Sequence, residues 1–335
     1  MKHFLKAASM IAGVLCTGFH NGVVLAQTEL ETRQVSLSPD IKIGDRIGRI
    51  RFLGMLQLPD ITRNGLRLSQ LSGLAWDDDD GVLYAISDKG GLFHLKPEFD
   101  GNTLTGLRLL RAVALQDPAN SKLLKRPYTD SEDLDVLNGH NGRKGDAELV
   151  ISFERAPRIT RYQPDGRALG DYPLPEPLNN AKNYASTNRM LESVCVDSSL
   201  GIITVPEEPL KNEQSGYTHI FSLSKESWLY PIASGDRLTA MECLGQGEVI
   251  LLQQTYLRTF GQITVALKRI RLTSTPSLEA LKPETLVALD NQKGFQIDNF
   301  EGLARHNGNR FFMVSDNNDL FIQRTLLMYF ELLDE

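Results

Sequence analysis

Two sets of carboxylates in this sequence could do chemistry. The first is the run DDDD at residues 77–80, four adjacent acids that suggest a calcium-binding loop. The second set is dispersed, with one acid opening a predicted strand and another closing the next strand. Its members are Asp88, Glu132, Glu154, Glu192, Glu207, Glu242, Glu301 and Asp316. Because carboxylate oxygens are hard ligands that suit Ca²⁺, either set could hold a metal ion.

The DDDD run lacks the spacing of an EF-hand loop. Such a loop would need acids at alternate positions before its glycine, beginning where Trp76 stands. Adjacent aspartates followed by Gly81 are instead typical of a turn between two strands. We therefore predict that residues 77–80 form a solvated hairpin tip, with a weak peripheral calcium site as the alternative.

The dispersed acids mark a repeat. Similar segments begin at residues 72, 132, 192, 242 and 301, and each is followed by short apolar runs such as LVISF or RFFMVS. A period of roughly 40–60 residues with about four strands per unit is typical of a β-propeller. We predict an all-β fold, a single β-propeller of five blades, with six as the alternative. The last repeat lacks a fourth strand, so RIRFLGMLQL at 49–58 is predicted to complete it as the outermost strand.

The acids of each repeat are predicted to lie far from the hairpin turn, because the first residue of one antiparallel strand faces the last residue of the next. The midpoints between them fall on turn-forming residues near positions 80, 143, 199–200, 247 and 308–309. All the dispersed acids should then meet at one end of the central channel, where they need protons, cationic partners or a metal ion. Ser72 replaces the opening acid in the first repeat, and Gln253-Gln254 replace the closing acid in the fourth. The acids should therefore be distributed unevenly around the channel. The alternative is a water-filled channel whose acids pair with basic neighbours such as Lys89 and Arg158.

Residues 1–26 form a predicted secretory signal peptide. Two lysines precede the apolar run AASMIAGVLC, and VLA ends the segment with the small residues that cleavage needs. The mature chain would then comprise a leader at 27–44 and the propeller domain at 45–335. We expect a periplasmic or secreted protein.

The composition excludes some classes of function. The chain of 335 residues is 41% hydrophobic and 23% charged, which is enough apolar material for a globular core. Loss of the signal removes two lysines and no acid, so the net charge moves from −6 to −8. An acidic protein of this kind has no electrostatic means of binding nucleic acid or an anionic membrane surface. We expect a monomer with no transmembrane segment in the mature chain.

Two cysteines, Cys195 and Cys243, remain in the mature chain. The first lies three residues after Glu192 and the second one residue after Glu242. Both offsets are odd, so both side chains should point to the same face of their respective blades. Side chains placed in this way would not meet between adjacent blades, and we predict two free thiols.

Four segments of the repeat resemble a known family. They are SGLAWD…LYAISD, SEDLDV…LVISFERAPRITRY, LESVCVD…ITVPEEP and FEGLAR…FFMVSDNN. They resemble the phytase-like family, which is described by an esterase-like activity of phytase, over residues 45–330. The resemblance implies an exported bacterial β-propeller protein that hydrolyses a phosphoric or other ester of a small molecule.

The residues and the resemblance together predict a hydrolase assisted by Ca²⁺. The predicted metal ligands are Asp88, Glu132, Glu192, Glu301 and Asp316. The predicted catalytic residues are Glu154 and Glu207, as alternative general bases, together with Arg158. The predicted substrate-binding residues are Lys89, Arg158 and Asn317. The sequence contains no GxSxG motif, which disfavours a covalent serine route.

A non-catalytic propeller of the cell envelope is the alternative function. Its ligand or partner would contact loops at the rim of the propeller. The proline-rich segment DYPLPEPLNNAKNYASTNRM at 171–190 is the candidate for such a loop.

Overall fold

A computed structural model describes residues 28–119, 122–257, 261–275 and 277–334. The predicted signal peptide at 1–26 lies outside the described residues. Over the described part of the chain, the helices are two single 3₁₀ turns, Ala181–Asn183 and Asn291–Lys293, and everything else regular is β-strand. No helix in the described ranges has the length and apolar character needed to cross a membrane.

The strands are short and follow one another closely. In chain order they are β1 (Thr28–Glu29), β2 (Arg33–Gln34), β3 (Arg46–Ile47), β4 (Ile50–Gln57), β5 (Thr62–Arg63), β6 (Leu66–Arg67), β7 (Leu71–Asp77), β8 (Val82–Ser87), β9 (Gly91–Asp100), β10 (Thr103–Ala114), β11 (Ser131–Leu137), β12 (Glu148–Phe153), β13 (Arg158–Tyr162), β14 (Ala168–Tyr172), β15 (Leu191–Asp197), β16 (Gly201–Pro206), β17 (Tyr217–Ser222), β18 (Ser227–Pro231), β19 (Asp236–Gly245), β20 (Glu248–Leu257), β21 (Gln262–Arg271), β22 (Glu284–Asp290), β23 (Asn299–Arg305), β24 (Arg310–Asp316) and β25 (Leu326–Leu332).

Apart from the small hairpin β5–β6, the described strands form five antiparallel sheets, which are the blades of a propeller. From the inside outwards, blade one is β7-β8-β9-β10-β1, and blades two, three and four are β11 to β14, β15 to β18 and β19 to β22. Blade five is β23-β24-β25-β4-β2, with β3 paired to β4. The innermost strands contact one another in the closed order β7, β11, β15, β19, β23 and back to β7. The predicted all-β, five-bladed propeller is therefore confirmed.

The N-terminal part of the described chain closes the ring. Strand β4 pairs with β25 and completes blade five, as the sequence predicts for residues 49–58, but β4 is not the outermost strand, because β2 pairs with its other edge. Two short strands from the predicted leader at 27–44 extend the edges further, since β1 pairs with β10 in blade one and β2 pairs with β4 in blade five. This mixed blade hides strand edges that would otherwise be open.

The core lies between the blades, and the alternation of side chains along each strand supplies it. In β24, Phe311 and Met313 join the apolar cluster shared with blade four. Their neighbours Phe312 and Val314 join the cluster shared with blade one. Since successive side chains of a strand point to opposite faces, one apolar strand contributes to two inter-blade cores.

Two glycines allow the innermost strands to approach one another closely. A Cβ atom added at Gly73 would lie 2.7 Å from the Cα of Asp133, and one added at Gly302 would lie 3.0 Å from the backbone oxygen of Ser72. Larger residues at these positions would push blades five, one and two apart. The glycines therefore set the width of the channel on that side.

The hairpin turns lie where the sequence predicts them. In the described chain, the first two strands of each blade are joined at 78–81, 138–147, 198–200, 246–247 and 306–309. The register of blade four, however, differs from the prediction. Each innermost strand has a register shift near its start, and the displaced residues are Ser72, Glu132, Glu192, Thr239 and Glu301. Thr239, three residues before Glu242, is therefore the blade-four member of the repeat.

The register of blade four also corrects the prediction for the cysteines. Cys195 and Cys243 form a disulfide with 5.5 Å between their Cα atoms, so the prediction of two free thiols is wrong. Counted from Thr239, Cys243 has an even offset, whereas Cys195 has an odd offset from Glu192. Offsets of opposite parity place the two side chains on facing sides of neighbouring blades. The disulfide thus links the innermost strands of blades three and four.

Candidate active site at one end of the channel

A cavity of about 670 Å³ opens at the end of the channel where the innermost strands begin. It is built from the start of each innermost strand and the end of the strand that follows. Seven of the eight dispersed acids line it: Asp88, Glu132, Glu154, Glu192, Glu207, Glu301 and Asp316. The eighth, Glu242, lies deeper along β19, where its carboxylate accepts a hydrogen bond of 3.0 Å from the backbone N–H of Arg305.

Backbone hydrogen bonds beyond the last strand pairs hold the closing acids at the mouth of the cavity. The backbone N–H of Glu154 donates to the carbonyl of Asp130 at 2.9 Å. The N–H of Glu207 donates in the same way to Met190 at 2.9 Å, and the N–H of Asp88 donates to Gln70 at 3.2 Å. Each hairpin is therefore extended past its register shift, and this extension fixes the direction of the closing side chain.

Two further acids line the cavity that the sequence analysis did not identify. Asp130 precedes β11 and Asp298 precedes β23, and both are buried. Each lies within three residues of a repeat glutamate, Glu132 or Glu301. Their closeness in sequence to the repeat glutamates is the signal that could have identified these two acids.

The described residues of blade four contribute no acid to the cavity lining, as expected from Gln253-Gln254 in the fourth repeat. Thr239 stands in place of the opening glutamate, and its hydroxyl donates to the carbonyl of Phe300 at 3.2 Å. Gln254 stands in place of the closing acid, and its amide donates to Asn299 Oδ1 at 2.7 Å. Blade four supplies a cation instead, Arg237.

Burial and like charge raise the pKa values of the cavity acids. Burial, followed by the negative charge of Asp316, raises the pKa of Asp88 to about 8. Burial likewise raises the pKa of Asp316 to about 6. The pKa lies well above its ordinary value, first through burial and then through neighbouring carboxylates, at Glu132, Glu192 and Glu301. Without a cation, several of these groups keep their protons near neutral pH.

Glu154 and Glu207 have different charged neighbours, and their pKa values are raised to different extents. Burial raises the pKa of Glu154 to about 8, and the nearby charges of Glu207 and Asp130 add to the rise. Burial raises the pKa of Glu207 only to about 7, because Arg237 and Arg189 oppose it. Arg237 Nη1 lies 3.1 Å from Glu207 Oε1, and Arg189 Nε lies 4.0 Å from Glu207 Oε2.

Two compact groups of carboxylates could each hold a cation. In each group, one oxygen from every member lies within 4.8 Å of the others. The groups are Asp130, Glu132 and Glu154, and Glu154, Glu192 and Glu207. Glu154 is therefore shared by both. Of the predicted metal ligands, Glu132 and Glu192 belong to these groups, whereas Asp88, Glu301 and Asp316 line the cavity outside them.

The chemistry of the lining fits a hard divalent cation. Among the described residues, nine carboxylates line the cavity against five cationic side chains, Lys89, Arg126, Arg155, Arg189 and Arg237. The excess of negative charge and the purely oxygen ligands of the two groups suit Ca²⁺ better than a metal that prefers nitrogen or sulfur.

The structure separates the three predicted substrate-binding residues. Lys89 lines the cavity, with its Nζ 3.7 Å from Asp319 Oδ2. Asn317 does not line it, because its Oδ1 accepts a hydrogen bond of 3.1 Å from the backbone of Gln70. Its neighbour Asn318 lines the cavity instead.

Arg158, predicted to be both catalytic and substrate-binding, is not among the residues that line the cavity. Its guanidinium lies 3.6 Å from the ring centroid of Phe153 and donates to the carbonyl oxygens of Tyr128 and Ala156 at 2.7 and 3.1 Å. The residue therefore packs against blade two. Arg155, three residues earlier, faces the cavity and forms an ion pair with Asp130.

The DDDD run lies at the other end of the propeller, where Asp77 ends β7 and the next three aspartates lie in the turn before β8. Its carboxylates are not simply solvated. Asp79 accepts hydrogen bonds from the backbone N–H groups of Asn141 and Gly142 at 2.8 and 3.0 Å, and Asp80 accepts one from Gly145 at 2.9 Å. The turn prediction is confirmed for residues 78–80 and is wrong for Asp77, which is buried at the end of β7, while Asp79 and Asp80 anchor the neighbouring turn of blade two.

The fold and the cavity together define a five-bladed propeller with an acidic pocket at one end of its channel. The chain belongs to the phytase-like family: the family model described as "Esterase-like activity of phytase" matches residues 66–319. This match confirms the family resemblance drawn from the repeat segments. A search of curated proteins finds no match.

Two solved structures illustrate how distant the structural neighbours are. The β-propeller domain of Cps50 (Swd1) from Myceliophteria thermophila is similar at 9% identity and a TM-score of 0.36, over 91% of this chain and 99% of that one. The structure of U3-55K is similar at 8% identity and a TM-score of 0.39, over 80% of this chain and 77% of that one. At scores this low, the blade count rests on the strand pairing alone.

Proposed function

We propose that this protein is a calcium-assisted hydrolase that acts on a phosphoric or other ester of a small molecule in the acidic cavity. Membership of the phytase-like family supports hydrolase chemistry. The observation that carries the proposal is the sharing of Glu154 between two carboxylate groups whose oxygens lie within 4.8 Å of one another. The predicted signal peptide at 1–26 supports action in the periplasm or outside the cell.

The residues that would hold calcium come from blades two and three. They are Asp130, Glu132, Glu154 and Glu192. Bound calcium would neutralise the charge of a phosphate group and polarise the ester. The excess of carboxylates in the cavity would then be balanced without protonation of the acids.

Glu207 is the better candidate for the general base. It belongs to only one of the two carboxylate groups and lies beside acids that would hold calcium, so a base at this position could reach a water molecule next to the cation. Arg237 and Arg189 flank the carboxylate and orient it. In this role Glu207 takes a proton from the water that attacks the ester. Glu154, shared by both groups, is assigned to cation binding instead.

Lys89 is the candidate for contact with the phosphoryl oxygens. It lines the cavity and its side chain is 42% exposed, with a long contact of 3.7 Å to Asp319. A charge-assisted hydrogen bond from its ammonium group would position the anionic end of the substrate.

The test uses the mature chain from residue 27 onwards, with p-nitrophenyl phosphate, phytate and short acyl esters, in calcium or in EDTA. We expect turnover that needs calcium, and a loss of kcat of about 10²–10⁴ in Glu207→Gln. Glu148→Gln is the matched control, because Glu148 lies at the far end of β12 and pairs with Arg161 at 3.3 Å. It should retain full activity.

The outcome that contradicts the hydrolase is equally clear. The mature protein would turn over none of these esters, while calcium raised its melting temperature and Glu154→Gln abolished that rise. Such a result would leave a cation-binding propeller without hydrolytic activity, the alternative function.

A further inference from the structure

The apolar side chains of the cavity lining are confined to one side, where they lie among polar residues such as Arg237, Gln254 and Glu301. Among the described lining residues, those from blades one to three and the loops that lead into them are all polar or charged. Every apolar side chain of the lining comes from blades four and five: Tyr256, Ile263, Ile297 and Ile322. The two carboxylate groups, by contrast, come from blades two and three.

Two of these residues, Tyr256 and Ile322, lie in exposed apolar segments, which we term the apolar rim. The segment Leu320-Phe321-Ile322 between β24 and β25 has exposed fractions of 50%, 99% and 70%. On blade four, Tyr256 and Leu257 are each 43% exposed. Adjacent exposed apolar side chains beside a cavity mark a binding surface, because single scattered ones are ordinary but contiguous ones are rare on soluble proteins.

We propose that the substrate is a monoester whose alcohol carries an apolar alkyl or aryl group, and that Tyr256 and Ile322 select for it. This inference rests on the proposed function. The ester lies at the carboxylates of blades two and three, with its anionic end at Lys89. The apolar group contacts the apolar side chains of blades four and five, and its removal from water makes the free energy of binding more favourable.

The same side of the cavity argues against a polyphosphorylated substrate such as phytate. A ligand with charges all around its ring needs cationic partners on every side. On the side of blades four and five, the described lining residues include one cation, Arg237, and the rest are apolar side chains, amides, acids and a glycine. Desolvating phosphates against such a surface is unfavourable. Phytate should therefore be a poorer substrate than a simple alkyl phosphate.

The kinetic test compares hexyl phosphate with glycerol phosphate in calcium. We expect kcat/KM to be at least about tenfold higher for hexyl phosphate, the size of effect that burial of a few methylene groups gives. In Tyr256→Ser and Ile322→Ser the ratio of the two kcat/KM values should fall severalfold. Leu278→Ser is the matched control, because Leu278 is fully exposed and does not line the cavity. It should leave the ratio unchanged.

A binding experiment separates this inference from the proposed function. Hexylphosphonate and methylphosphonate, which are not hydrolysed, are titrated into the calcium-loaded protein by calorimetry. Hexylphosphonate should bind at least about tenfold more tightly, and Ile322→Ser should reduce that difference. If hexylphosphonate binds more tightly than methylphosphonate but no ester is turned over, the proposal of a hydrolase is wrong and the proposal of an apolar ligand class stands.

Two results would overturn the inference while the hydrolase stood. One is a substrate or ligand preference that ignores the apolar group, seen as equal binding of the two phosphonates with turnover intact and a preference for phytate over hexyl phosphate. The other is association with phosphatidylcholine vesicles that Phe321→Ser abolishes, without discrimination between the phosphonates. That second result would assign the apolar rim to a membrane surface.

Discussion

The two ends of the propeller both concentrate carboxylates, but the carboxylates have opposite surroundings. At the hairpin tips, Asp79 and Asp80 accept hydrogen bonds from backbone N–H groups of the blade-two turn. At the cavity end, Glu154 faces Glu207 and Asp130, and burial raises its pKa to about 8. The tip acids are satisfied within the protein, whereas the cavity acids compete with one another for compensating charge.

The difference shows that density of acids along the sequence is a poor guide to a cation site. In the DDDD run, Asp79 and Asp80 accept hydrogen bonds from backbone N–H groups of the blade-two turn. Glu132, Glu154, Glu192 and Glu207 are separated by tens of residues and still meet, because the repeat brings each to the same end of the channel. Unsatisfied negative charge in a buried position is the property that calls for a cation.

The largest effect should come from Glu154, the acid that both carboxylate groups share. We expect Glu154→Gln to lower calcium affinity roughly a hundredfold, because each group loses a charged ligand. Asp80→Asn at the other end should leave the affinity unchanged. Calcium titration by calorimetry measures both. Equal losses in the two variants would remove the contrast between the ends.

The pH dependence of stability without calcium should be the next largest effect. The folded-state pKa values of Asp88 and Glu154, both about 8, and of Glu207, about 7, lie above those of an unfolded chain. The folded state therefore binds more protons, and stability is lost as the pH rises from about 4 through about 8. In EDTA we expect the melting temperature to fall by several degrees between about pH 5 and pH 8.

Calcium should reverse this trend, since it replaces protons as the source of positive charge. The rise in melting temperature on adding calcium should be greater at about pH 8 than at about pH 5. A melting temperature that climbs over this range in EDTA would mean that the carboxylates are compensated within the protein, like those of the tip.

Asp88 should give a smaller effect than Glu154. It lines the cavity outside the two groups, and the hydroxyl of Ser72 donates a hydrogen bond to its carboxylate. We expect Asp88→Asn to weaken calcium binding about fivefold, because the cation loses a nearby negative charge but no direct ligand. Asp78→Asn is the control at the other end. A loss as great as that of Glu154→Gln would place Asp88 among the ligands.

The smallest effect should be structural and confined to the tips. Asp79→Ala removes the acceptor for two backbone N–H groups of blade two, and we expect a loss of about 1 kcal/mol in the free energy of unfolding. Urea unfolding measures it, with the exposed Asp100→Ala as the control. Calcium affinity should not change. A loss of calcium affinity in Asp79→Ala would show that the tip is a cation site after all.

Much of the fold was predictable because it depends on local patterns. Alternating apolar runs predict the strands, and Gly81, Gly247 and Gly308 lie in the predicted turns, with Gly201 directly after another. The spacing of the repeats predicts five blades, and the missing fourth strand of the last repeat predicts that β4 closes the ring. The position of each acid relative to its turn then placed seven acids at one end of the channel.

The register of blade four and the packing of individual side chains were decided only by the tertiary structure. A glutamate at 242 looks like the repeat residue, yet the register shift in β19 makes Thr239 its counterpart and reverses the facing of Cys243. Arg158 looks like a phosphate ligand, yet it packs on Phe153. Asp79 looks solvated, yet it binds the next blade.

The physical reason is the range of the interactions involved. Turns and strand alternation arise between residues close in sequence, so a single sequence determines them. A register shift of one residue changes which face every later side chain occupies, and its position depends on packing between blades far apart in the chain. The sequence by itself therefore determined the blades and the end at which the acids meet, and the tertiary structure decided which of them meet closely enough to share a cation.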